Sequence, residues 1–216
     1  MPKKCCTTGP ILLITAHPDD ECMFFSPFLM SMKSMNIEVD LLCLSRGDYY
    51  GSGEQRVEEL QKSVRVLGIN RVKVVNDPLL PDDPSVTWPL HKTTKYISST
   101  AKEWHSELLV TFDSYGVSGH SNHRQIYKAV YKLCSVEERF EAIMLRSHFA
   151  FIKYCLPIAF PLTCLHSPSL TFYSPFCSIF SAHKAMLQHR SQLMWFRYLY
   201  IVFSIYMYAN TFDVFR

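Results

Sequence analysis

The chain has 216 residues, 48% of them hydrophobic and 19% charged, enough for one well-buried core and inconsistent with a disordered chain. Its net charge of +3, from 22 basic and 19 acidic residues, provides no basic excess for a nucleic-acid partner.

Residues 1–10 read as a short tail without a secretory signal, because the apolar run that follows Pro10 is too short for one. That run, Ile11 to Thr15, predicts a strand buried on both faces. Met23, Phe24, Phe28, Met30 and Met35 predict a helix over 21–35, with Pro27 marking a kink or a late start. A second strand is expected over 37–44. Val57, Leu60, Val64 and Leu67 recur at helical spacing over 54–67, and Gly68 is a stop signal. A third strand over 71–75 leads into a proline-rich loop, 77–84, and a helix over 90–105. A fourth strand over 107–112 is followed by a polar loop to Gly119 and a helix over 120–133. Such alternation implies an α/β fold: a mostly parallel sheet with helices on both faces.

Composition changes at His148. The first 148 residues hold 13 aromatics with 18 acids and 17 bases; the last 68 hold 17 aromatics, five bases and a single acid, Asp213. The organisation read from this is an α/β domain over 11–148 and an aromatic-rich helical region over 149–216. That region either completes the core or meets a membrane interface, where aromatics and cations gather. Residues 149–180, with four prolines, are a candidate hydrophobic wall. The stretch 193–208 is interrupted by Arg197 and falls short of the roughly 20 residues of a spanning helix, so peripheral attachment is expected, with Arg190 and Arg197 as membrane-facing charges. The eight cysteines form no CxxC and match no zinc-finger spacing, a pattern that fits a reducing compartment.

Chemistry in open α/β sheets collects at the C-terminal ends of strands. After the first strand come His17, Pro18, Asp19, Asp20 and Glu21; after the fourth come Asp113 and then His120, Ser121, Asn122 and His123. Alone, each cluster reads equally as a capped turn or a loop with surface histidines. Together at two strand ends they match a catalytic metal site: His17, Asp20 and one histidine of the later pair as ligands, with a position open for water. A metal lowers the pKa of such a water to about 7. Asp19 is then free to act as base, and the remaining histidine to stabilise charge on the substrate oxygen. The other histidines are read as surface or core residues.

Ile-Thr-Ala-His-Pro-Asp-Asp-Glu at 14–21 and Gly-Val-Ser-Gly-His-Ser-Asn-His at 116–123 resemble the two signatures of the LmbE/PIG-L family of zinc-dependent de-N-acetylases. Blocks at 43–50, 53–60, 66–69, 80–84 and 189–200 extend the likeness, which runs from about 11 to 208. It is nearest to the eukaryotic branch, which deacetylates N-acetylglucosaminyl-phosphatidylinositol. The resemblance implies a Rossmann-like fold and His17, Asp20 and His123 as ligands for Zn2+, or another divalent metal such as Fe2+. It further implies Asp19 as base and His120 as oxyanion stabiliser and proton donor. Arg56, Asp113 and Asn122 lie in family-like blocks and are candidates for substrate binding. A lipid substrate, a membrane surface as partner, a role in glycosylphosphatidylinositol (GPI) anchor biosynthesis and a place on the cytoplasmic face of the endoplasmic reticulum membrane are also implied.

Two departures accompany the resemblance. Asn122 stands where bacterial members carry Asp, so it can hold His120 by a hydrogen bond but not by charge. The first ten residues are polar or small, where animal members are expected to carry a membrane helix. Deacetylation of a soluble N-acetylglucosamine conjugate, and a non-catalytic membrane-associated adaptor, remain alternative readings.

Overall fold

The apolar runs form strands because their side chains are covered on both faces. In this computed structural model, which describes residues 9–155, 170–174 and 178–215, the runs are β1 (Ile11–Thr15), β2 (Val39–Cys43), β3 (Val72–Val74), β4 (Leu108–Phe112) and β5 (Glu141–Leu145). Every residue of β1 and β2 is buried. These five strands are parallel in the order β3-β2-β1-β4-β5. Two more extend the sheet: β7 (Ala209–Phe215) runs antiparallel to β5, and β6 (Leu170–Tyr173) antiparallel to β7. Chain order reverses between β1 and β4, which opens a crevice at their C-terminal ends.

The helix expected over 21–35 is two helices. α1 (Asp20–Phe24) stops at Phe25, and α2 (Ser26–Ser34) begins there with Pro27 in its first turn, where the missing N–H costs nothing. Asn210 on β7 closes the break: its Oδ1 accepts from Phe28 N at 3.1 Å, and its Nδ2 donates to Phe24 O at 2.8 Å. α3 (Gly53–Leu67) ends as expected at Gly68, whose φ of 79° suits glycine. α4 (Leu90–Glu103) packs on α6 (Ser121–Val136), and α5 is the single turn Gly116–Gly119. α7 (Ala150–Tyr154), α8 (Ile179–Met186) and α9 (Trp195–Phe203) follow; α8 packs on α3.

The C-terminal region is therefore not only helical. β6 and β7 have no clean sequence period; long-range pairing makes them strands. The stretch 193–208 divides into α9 and a short turn of 3-10 helix, Ile205–Met207. Tyr200, Ile201 and Ile205–Met207 are buried, while Trp195, Tyr198, Leu199 and Val202 are exposed. No helix of the described residues is long and apolar enough to cross a membrane. The tail before residue 9 and much of the candidate wall, 156–169 and 175–177, lie outside the described residues.

Candidate active site

The turn after β1 is organised by its own acids. Asp20 Oδ2 accepts from the backbone N–H groups of Ala16 at 3.0 Å and His17 at 2.9 Å, which turns Oδ1 toward His123 Nε2 at 3.3 Å. Asp19 has a φ of 110°, rare for a residue with a side chain. Glu21 Oε2 holds it there by accepting the Asp19 N–H at 3.0 Å. Strain in this turn therefore sends two adjacent carboxylates in different directions.

His123, in the first turn of α6, is fixed from two sides. It stacks on Phe112 at 3.9 Å between ring centroids, and its Nδ1 lies 3.1 Å from Gly116 O. A proton on Nδ1 leaves the Nε2 lone pair free, and that buried nitrogen faces the Asp20 carboxylate without making a hydrogen bond. His17, Asp20 and His123 bring one donor atom each to within 4.8 Å of one another. Two imidazoles, a carboxylate and an unsatisfied nitrogen fit a divalent metal such as zinc or ferrous iron. His17, Asp82 and His120 form an overlapping group.

Asp19 faces two cations: Oδ1 lies 3.7 Å from Arg56 Nη2 and Oδ2 lies 3.3 Å from Arg197 Nη2. Burial pushes its pKa up, Arg197 and Arg56 pull it down, and Asp20 adds repulsion, leaving it above the usual carboxylate value. Burial also disfavours the Asp20 carboxylate, but His123 and His17 overcome that and hold its pKa far below the usual range. His120, the N-cap of α6, accepts the Asn122 N–H on Nδ1 at 3.3 Å. Burial and the nearby His123 and His17 push its pKa down to about 4, so it is neutral at pH 7.

The remaining sequence candidates divide. Asn122 contacts His120 through its backbone, not its side chain; the amide Nδ2 lies instead 3.1 Å from His17 Nε2. Arg56 Nη1 donates to Gly47 O at 2.8 Å and Asp82 Oδ2 at 3.0 Å, and Nη2 donates to Pro18 O at 2.8 Å. It thus ties the turn after β1 to the proline-rich loop. Asp113 is not brought to the cluster. Its carboxylate accepts from Tyr115 N, Gly116 N, Ser147 N and Ser147 Oγ at 2.6–3.1 Å and shapes the loop that carries Gly116.

The cluster lies in a cavity of about 720 Å³ whose walls include Met23, Phe24, Tyr154, Trp195, Leu199 and Phe203. Three further charged residues line it without having been singled out as site residues in the sequence. Asp82 bonds His17 Nε2 at 2.9 Å; its block, Leu-Pro-Asp-Asp-Pro, was the available signal. Arg197, read as a membrane-facing charge, points inward to Asp19 and Met23 Sδ. Lys153 has no recognisable motif. Beneath the cavity, Glu21 Oε1 accepts from Ser63 Oγ at 2.6 Å and pairs with His189 Nε2 at 2.8 Å.

The family model described as GlcNAc-PI de-N-acetylase (PIG-L) matches residues 12–134, spanning both motifs. The chain belongs to the PIG-L family. A bovine relative, N-acetylglucosaminyl-phosphatidylinositol de-N-acetylase, is 38% identical over 211 residues, covering 93% of this chain and 81% of that protein. Solved structures share the fold. N,N'-diacetylchitobiose deacetylase from Pyrococcus horikoshii superposes with a TM-score of 0.71 at 16% identity, covering 96% of this chain and 84% of the other. GalB, a 4-carboxy-2-hydroxymuconate hydratase from Pseudomonas putida, superposes with a TM-score of 0.63 at 12% identity over 96% of both chains. A hydratase on this scaffold shows that the fold does not choose the reaction; the site does.

Proposed function

We propose that this PIG-L family member is a metal-dependent hydrolase that removes the acetyl group from N-acetylglucosaminyl-phosphatidylinositol, yielding glucosaminyl-phosphatidylinositol and acetate in GPI-anchor biosynthesis. The observation that carries the reading is the convergence of His17, Asp20 and His123 beside Asp19 at the base of the cavity. It occurs in a chain 38% identical to a bovine enzyme named for that reaction.

His17, Asp20 and His123 would hold the metal, zinc or ferrous iron. When bound, the metal polarises the amide carbonyl and acidifies the attacking water. Asp19, raised in pKa yet oriented by Arg56 and Arg197, takes the proton from that water. Neutral His120 accepts the Asn122 N–H on Nδ1, so its proton sits on Nε2 and is available to the developing oxyanion. A nearby cation would lower the His120 pKa further, which favours oxyanion stabilisation over a role as acid. The proton held by Asp19 then serves the leaving nitrogen as the C–N bond breaks, releasing the amine and acetate.

The substrate's lipid gives the exposed apolar residues a use. Trp195, Leu199 and Phe203 of α9 and Tyr154 of α7 line the cavity, and Phe149 and Phe151 project beside them. These helices would meet the membrane surface at the cytoplasmic face of the endoplasmic reticulum, with the cavity opening toward the lipid.

The test is acetate release from N-acetylglucosaminyl-phosphatidylinositol by purified protein, after chelation and after reloading with zinc or ferrous iron. Asp19→Asn should retain metal and lose nearly all turnover, while Asp20→Ala and His123→Ala should lose metal. Full turnover by chelated protein, or by Asp19→Asn, would overturn the mechanism. A preference for lipid-free N-acetylglucosamine conjugates would overturn the substrate.

A further inference from the structure

The cations of the cavity are not equivalent. Arg56 faces Asp19 and Asp82, and Arg197 faces Asp19. Lys153, on α7, lines the same cavity but forms no ion pair with a carboxylate among the described residues. It is only 6% exposed. Its ammonium lies 5.7 Å from the Phe24 ring centroid, 5.2 Å from that of Tyr154 and 5.8 Å from that of Tyr206. Aromatic faces offset part of the cost of burying a cation but do not neutralise it. Burial, aided by repulsion from Arg197, pushes its pKa down to about 8, so it remains mostly charged at neutral pH.

A buried, unmatched cation in a substrate cavity is explained when the substrate brings the anion. We propose that Lys153 forms a phosphodiester-binding subsite, receiving the phosphate that joins the inositol to the lipid while the acetamido group lies at the His17, Asp20 and His123 cluster. This inference rests on the substrate class proposed above and adds the group that recognises its charge. The spacing is compatible. Phe24 packs against both ends of the site, with His123 at 5.9 Å and the Lys153 ammonium at 5.7 Å from its ring centroid. The sugar and inositol would thus span one wall of the cavity. The acyl chains would leave past Tyr154 and Phe203, which are beside Lys153 and on α9 respectively. A charge-assisted contact in such a place contributes to selection of the phospholipid over neutral glycosides.

The experiment compares kcat/KM for N-acetylglucosaminyl-phosphatidylinositol with that for a neutral alkyl N-acetylglucosaminide, in wild type and Lys153→Gln. The ratio of the two should fall about tenfold or more in the variant, chiefly through KM for the phospholipid, and be largely restored in Lys153→Arg. Equal losses on both substrates, or no loss, would overturn the subsite. Binding of glycerophosphoinositol, which carries the phosphodiester but no amide, separates this inference from the deacetylase reading. It should weaken about tenfold or more in Lys153→Gln, and equal binding would overturn the subsite whatever the enzyme's activity. Failure of the wild type to deacetylate the phospholipid, with Lys153-dependent binding intact, would sink the substrate reading alone. If Lys153→Gln does not fold, wild-type protein decides: glycerophosphoinositol should bind about tenfold or more tightly than myo-inositol, and equal affinities would overturn the proposal.

Discussion

Arg197 Nη2 lies 3.3 Å from Asp19 Oδ2, joining α9 to the turn after β1 across 178 residues of chain. The carboxylate proposed as base therefore depends on the aromatic C-terminal region for part of its electrostatic environment. Burial raises the Asp19 pKa and Arg197 is the strongest opposing influence. In Arg197→Gln the pKa should rise further, moving the acid limb of the kcat/KM profile to higher pH. A shift of one unit corresponds to about 1.4 kcal/mol. An unmoved acid limb would rule out this coupling. Because Arg197 points inward, it is also a poor probe of membrane charge.

Gly116 makes the His123 position possible. Its φ is +68°, and a Cβ there would lie 2.8 Å from the His123 Cβ. Gly116→Ala should displace the imidazole and weaken metal binding roughly 10–100-fold, the usual effect of disturbing a ligand's support. Metal titration of the purified variant checks this; wild-type affinity in a folded variant would show that His123 is not positioned by this contact.

Glu21 and His189 form a fully buried pair beneath the cavity. Burial opposes both charges, but each partner overcomes it: the Glu21 pKa is lowered from 4.5 and the His189 pKa raised from 6.5. The Glu21 contribution to stability is present above its unfolded value and lost as pH falls through the lowered one. The His189 contribution is present below its unfolded value and lost as pH rises through the raised one. The pair should thus contribute most between pH 4.5 and 6.5. Glu21→Gln should cost on the order of 3–5 kcal/mol by leaving a buried cation unpaired. Denaturation midpoints measured across pH, for wild type and the double variant Glu21→Gln/His189→Gln, would show a gap that narrows on either side of that window; a pH-independent gap would contradict it.

Phe151 on α7 and Val202 on α9 are 68% and 50% exposed and do not line the cavity. Replacing both with Ser removes apolar surface without touching the proposed chemistry. Liposome binding should fall about tenfold or more, at roughly 25 cal/mol per Å² of apolar surface, while Tm stays near the wild-type value. Undiminished pelleting with liposomes would argue against these helices as the membrane-facing surface.

Much of this architecture is local information. Apolar runs of four to eight residues, helical periodicity over 54–67 and Gly68 as a stop make the first four strands and their helices legible, because each depends on neighbours along the chain. The same is true of His17, Asp19 and Asp20, directly after β1, and of His120 and His123, which open the helix that follows β4, because the ends of these strands must share a crevice once the sheet is parallel. Tertiary structure decided the rest. β7 became a strand by pairing with β5 and β6, and Asn210 found its use only against the break between α1 and α2. Asp113 was drawn into shaping its own loop, and the Asn122 amide turned to His17 rather than to His120. Asp82, Lys153 and Arg197 entered the cavity from distant segments, and His189 closed on Glu21 across 168 residues. Sequence spacing carries the chemistry of residues that are close along the chain; partners brought together by packing carry no such period, and their roles arise from the burial and charge they meet in the folded state.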